Sequence, residues 1–148
     1  MEQLTYFQTE LKVVEYLDRY YNSKIILSTN HDKESWNEEK KSLFIESILL
    51  GYPIAPFYVN QQKDGKWLVI DSLQKSTSLI DFMRNRFKME DLDYLSLPLE
   101  LKAKLQRAKI IIYVLKPSNS IEVIYDLFKR VNNEGAKLTL ENITNAIF

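Results

Sequence analysis

Trp67-Leu68-Val69-Ile70-Asp71-Ser72-Leu73-Gln74-Lys75 changes its pattern halfway along. Trp67–Ile70 is a short apolar run of strand character. Beyond it, Leu79, Phe82 and Met83 fall at helical spacing. The stretch therefore reads as a strand delivered straight into a helix. Asp71 stands where an N-cap belongs, and Gln74 is its capping-box partner three residues on. The first amides of a helix have no intrahelical acceptor, and with the helix dipole they attract anions. Lys75 adds a positive charge in the first turn. This chemistry suits a phosphate or a nucleotide. An ordinary capped helix with a solvated lysine accounts for the same residues.

Upstream, Pro56–Val59 reads as the strand that pairs with Trp67–Ile70, and Asp64-Gly65 marks the hairpin between them. Before it, Ser35-Trp36-Asn37-Glu38 has the capping-box pattern. The helix it opens carries Phe44, Ile45, Ile48 and Leu49 on one face, then Gly51 and Pro53 as stop signals. The spacing of Leu11, Val14, Leu17 and Tyr21 predicts a first helix over about residues 9–21, followed by a short strand Lys24–Leu27.

Downstream, Pro98 stands near the start of a basic helix with Lys102, Lys104, Arg107 and Lys109. Ile110–Leu115 is a continuous apolar run, predicted as a central strand buried on both faces. A helix capped by Asn119 or Ser120 carries Ile121, Ile124, Leu127, Phe128 and Val131, and Asn132–Gly135 ends it. Thr139 caps a last helix. The expected fold is α+β: a small mixed sheet packed with helices, forming a single domain over 1–148 as the N-terminal part of a longer protein.

Composition narrows the chemistry. The 148 residues include no cysteine and one histidine, His31, which removes disulfides, thiolate chemistry and a histidine-based zinc cluster. Twenty basic and twenty acidic side chains balance. Residues 1–50 hold 6 basic and 9 acidic side chains, so the remainder is mildly basic. No apolar run reaches the length of a membrane helix, and the N-terminus lacks signal-peptide order; a cytoplasmic protein with no membrane partner is expected.

Two further segments carry possible chemistry. In Phe128-Lys129-Arg130-Val131-Asn132-Asn133-Glu134-Gly135, Arg130 and Asn132 lie near the edge of a polar helix face, and Gly135 permits exposed amides; a plain helix end is the alternative. The Lys102–Lys109 stripe has the charge to track a phosphate backbone, or is simply a solvated face. The nine tyrosines and two tryptophans read mainly as packing.

Taken together, these segments resemble the GmrSD-type N-terminal domain of the ParB/sulfiredoxin-like superfamily. Ser42–Tyr58 resembles its helix-to-strand signature. Val69–Thr77 falls at its Asp-Gly-Gln-Gln-Arg motif. Asp126–Leu138 resembles its closing phenylalanine-arginine-asparagine-glycine motif, and Glu141–Ala146 also fits. The resemblance implies nucleotide binding and hydrolysis, a nucleoside triphosphate with Mg2+ as cofactor, and DNA restriction in phage defence. The implied partners are DNA and a C-terminal nuclease domain or partner subunit. On the matching positions it implies Asp71 and Gln74 as catalytic, and Ser72, Gln74, Lys75, Arg130, Asn132 and Gly135 as nucleotide-binding.

The motif departs from the family in three places: Ser72 replaces its glycine, Leu73 its first glutamine and Lys75 its arginine. Lysine keeps charge but loses the two-pronged phosphate contact, and serine adds a side chain where glycine allows close backbone approach. Weak or absent hydrolysis is the expectation. A non-catalytic protein- or DNA-interaction module of the same fold is the alternative.

Overall fold

The computed structural model describes residues 1–28, 36–131 and 140–147. Five strands and six helices follow one another as β1 (Tyr6–Lys12), α1 (Val13–Tyr21), β2 (Ile25–Leu27), α2 (Glu38–Leu49), β3 (Phe57–Gln61), β4 (Trp67–Val69), α3 (Leu73–Met83), α4 (Leu99–Arg107), β5 (Lys109–Leu115), α5 (Ile121–Val131) and α6 (Leu140–Ile147). The strands form one mixed sheet in the order β1-β5-β3-β4-β2. β1 and β4 run antiparallel to β5 and β3 respectively, whereas β3–β5 and β2–β4 are parallel pairs. The expected α+β architecture is present.

Strand alternation sends side chains to two unequal cores. Phe57, Val59, Trp67, Val69, Ile110, Ile112 and Val114 face a large cluster built with Tyr16, Leu17, Phe44, Ile45, Ile48, Leu79, Phe82 and Leu105. These come from α1 to α4. On the opposite face, Leu68, Ile70 and Leu115 meet Ile124, Phe128 and Ile143 of α5 and α6.

α2 ends in a Schellman arrangement: the Gly51 amide donates to Ile48 O at 3.0 Å and the Tyr52 amide to Ser47 O at 2.9 Å. Gly51 has φ +76°, the left-handed conformation this ending demands. In the hairpin, the Gly65 amide donates to Gln62 O at 2.9 Å, and the five residues 62–66 connect the strands.

Four local expectations are corrected. Residues 9–12 belong to β1, so the first helix begins at Val13; seven residues of β1 register against β5, from Tyr6↔Leu115 to Lys12↔Lys109. Pairing across a hundred residues overrides the local helical spacing. The cap of α2 is Asn37, whose Oδ1 accepts the Lys40 amide at 2.9 Å. Lys109 begins β5 rather than ending the basic helix. β5 is second in the sheet, not central, and is not buried on both faces, since Ile111 is exposed and Tyr113 half-buried. The α5–α6 layer covers Leu115 but leaves the far part of that face open. Of the two caps expected for α5, Asn119 or Ser120, it is Ser120 whose Oγ accepts the Val123 amide, at 3.2 Å.

Among the described residues no helix is long and apolar enough to cross a membrane.

Candidate functional site

The junction between β4 and α3 is where the sequence places Asp71, Ser72, Gln74 and Lys75. The helix begins one residue later than expected. Ser72, not Asp71, occupies the cap position, and no side-chain capping bond is made there. The Asp71/Gln74 capping box is therefore replaced by other pairings.

Ser72 is 2% exposed. Its Oγ accepts the backbone amide of Tyr58 at 2.8 Å, tying the start of α3 to β3. Its carbonyl accepts both the Ser76 amide at 3.0 Å and Ser76 Oγ at 2.8 Å. Ser76 in turn meets the buried Tyr16 hydroxyl at 2.7 Å. Gln74 reaches away from its own helix: its Oε1 accepts the Trp36 amide at 3.0 Å. The Trp36 ring then packs edge-on against Phe44.

Lys75 is half-buried, with Nζ donating to Ala55 O at 3.3 Å and lying 5.5 Å from the centroid of the Phe57 ring. Burial pushes its ammonium below the ordinary value of 10.5, while the negative charge of Asp71 opposes that shift. Burial raises the Tyr58 hydroxyl from its ordinary 10.0, with Tyr113, Asp71 and Tyr6 adding to the effect. One carboxylate thus acts on two neighbouring groups, Lys75 and Tyr58. Sequence reasoning did not single out Tyr58, because an aromatic residue in an apolar strand reads as packing.

The structure brings Asp71, Ser72, Gln74 and Lys75 to one end of the sheet. It does not bring Arg130 into contact with them. Arg130 is exposed on α5, where its Nε donates to Asp126 Oδ2 at 2.9 Å. Asn132, Gly135, His31, Ser35 and Thr139 lie outside the described residues.

Among the described residues no group of three or more histidine or acidic side chains is placed to hold a metal ion. A triphosphate-bound Mg2+ needs less, because it keeps waters and phosphate oxygens and takes one or two carboxylates. In the Asp71–Lys75 stretch Asp71 is the residue that carries a carboxylate.

The basic stripe is partly realised. Lys104, Arg107 and Lys109 line a surface cleft of about 460 Å³ with Gly51, Tyr52 and Ile54. Lys102 instead lies 5.8 Å from the centroid of the Tyr94 ring, and Lys109 pairs with Glu10 at 3.6 Å.

Residues 33–106, half of the chain, match the family described as GmrSD restriction endonuclease, N-terminal domain. The chain belongs to this family. The match includes the helix-to-strand signature and the Asp71–Lys75 junction; the segment Asp126–Leu138 lies beyond it. Among solved structures, a Pnob8-like ParB-N domain is similar at 13% identity and a TM-score of 0.47, over 97% of this chain and 44% of that one. The chain thus spans less than half the length of that relative. No curated protein matches it.

Proposed function

We propose that this domain is the nucleotide-binding module of a DNA-restriction protein of phage defence, and that it binds a nucleoside triphosphate at the β4–α3 junction with little or no hydrolysis. Membership of the GmrSD N-terminal family supports the restriction setting and a C-terminal nuclease domain or partner subunit. The observation that carries the nucleotide reading is the half-buried Lys75 in the first turn of α3, its Nζ on Ala55 O at 3.3 Å and near enough to Asp71 for that carboxylate to act on its charge. Phosphate oxygens arriving there meet the opening amides of the helix and a lysine held by a single 3.3 Å bond to a carbonyl.

The weak-turnover half of the proposal rests on the neighbouring positions. Ser72 and Gln74 already spend their side-chain oxygens on the Tyr58 and Trp36 amides. Lysine provides a point charge where a guanidinium would grip two oxygens. Asp71 would hold Mg2+ with the triphosphate, and the bound ion would neutralise phosphate charge. Calorimetric titration of nucleoside triphosphates with and without magnesium, run beside phosphate release, tests this. Binding without release is expected, lost in the Asp71→Ala, Lys75→Ala double variant. Binding unchanged in that variant removes the junction from consideration.

A second reading, a non-catalytic DNA-interaction module, draws on the Lys104–Arg107–Lys109 cleft. It requires DNA binding that weakens steeply with salt and falls in Lys104→Glu, Arg107→Glu.

A further inference from the structure

A second cavity lies at the opposite end of the sheet from Asp71. It has a volume of about 510 Å³, within the range of small-molecule sites and far larger than a single water requires. The β3–β4 hairpin, the segment after β5, and helices α5 and α6 border it. Leu68, Ile121, Ile124 and Ile147 contribute apolar walls, and Lys63 and Lys116 stand at its rim.

Asn60 also borders this cavity. It is 6% exposed, and among the described residues neither Nδ2 nor Oδ1 of its carboxamide has a hydrogen-bond partner. Its register partners are Leu68 and Leu115, which both face the α5–α6 side. Strand alternation places Asn60 on that same face. A buried amide with both polar atoms unpaired is costly, and native proteins rarely keep one without a use. No hydrogen bond holds the carboxamide in its present rotamer, and the terminal torsion of asparagine is broad and soft. Turning it toward the cavity breaks no hydrogen bond among the described residues.

We propose that this cavity binds a nucleobase-type heterocycle, read by the Asn60 carboxamide. Asparagine offers one donor and one acceptor side by side, the complement of a base edge with an amino group next to a ring nitrogen. The apolar walls take the flat faces of the ring. Lys63 and Lys116 favour an anionic substituent such as a 5′-phosphate. This site is separate from the β4–α3 junction and needs no triphosphate.

The test uses the 148-residue chain carrying Asp71→Ala and Lys75→Ala, so that junction binding does not interfere. Adenosine, cytidine and their 5′-monophosphates are titrated by heteronuclear NMR. At least one is expected to shift the Asn60 side-chain amide and the Ile124 methyl signals, with the monophosphate tighter than the nucleoside. Asn60→Leu should weaken binding at least tenfold while the domain stays folded. Ile121→Trp, which adds a bulky ring to the cavity wall, should do the same. N6,N6-dimethyladenosine, which lacks the donor, should bind at least tenfold more weakly than adenosine. Absence of binding by all four ligands at millimolar concentration overturns the proposal, as does unchanged affinity in Asn60→Leu. Failure here leaves the triphosphate titration of the unsubstituted chain as an independent result.

Discussion

Gln74 Oε1 accepts the backbone amide of Trp36 across 38 residues of sequence, at 3.0 Å. The bond fastens the segment entering α2 to the first turn of α3. It also uses the carbonyl oxygen that a helix cap would otherwise have claimed. The motif at this junction is thus a structural tie as well as a candidate phosphate contact.

Gln74→Leu should separate these roles. Losing one partly buried hydrogen bond costs about 1 kcal/mol. Urea denaturation should show that loss, and hydrogen exchange at the Trp36 amide should speed up. Unchanged exchange at Trp36 would contradict the tie.

Ser72→Gly frees the backbone at the start of α3 but removes the acceptor of the Tyr58 amide. The orphaned amide should cost roughly 1–3 kcal/mol in denaturation experiments, enough that regained backbone access comes with a less stable domain. An equally stable Ser72→Gly would show that water or another group replaces the serine.

Tyr16 links pH to stability. It is fully buried, and desolvation raises its hydroxyl pKa from the ordinary 10.0. The unfolded chain therefore releases this proton before the folded one does. The neutral phenol's contribution is complete below pH 10.0 and is lost as pH rises above it. Tyr16→Phe should lose about 1 kcal/mol at pH 7 with its bond to Ser76, yet show a shallower decline in stability above pH 10. A parallel decline in both proteins would place the alkaline transition elsewhere. Lys75 acts with the opposite slope: its lowered pKa means that the unfolded chain binds more protons between the folded value and 10.5, so stability rises with pH in that window. Lys75→Met should flatten that rise.

Gly51→Ala adds a Cβ at φ +76°. The nearest atom it meets is Lys104 Nζ at 4.0 Å, so the penalty comes from the backbone conformation rather than from a clash. About 1 kcal/mol of destabilisation is expected in thermal or urea melts. A neutral effect would argue against the Schellman ending of α2.

How far these features were legible depended on whether their causes were local. The apolar stripe Phe44, Ile45, Ile48 and Leu49, the Gly51 stop and the β3–β4 hairpin follow from neighbouring residues, and all were readable. β1 was not. Tyr6-Phe7-Gln8-Thr9-Glu10 is mostly exposed, and its strand state depends on register with β5 and on Asn119. Asn119 accepts the Thr5 amide and donates to the Thr5 carbonyl, 114 residues away. At the site, the positions of Asp71 and Lys75 were readable, but the partners of Ser72 and Gln74 were not. Tyr58 and Trp36 reach them through the tertiary fold. Asn60 left no signal: it stands beside Gln61 at the end of the strand Phe57–Gln61, and only the packing around it shows that it lacks a partner among the described residues.

The most direct test of the central claim is an amide chemical-shift titration of the unsubstituted chain with nucleoside triphosphates and magnesium. The account predicts saturable shifts at the Leu73, Gln74 and Lys75 amides, with no inorganic phosphate released over the same period. Saturable binding that leaves those three amides unmoved would contradict it.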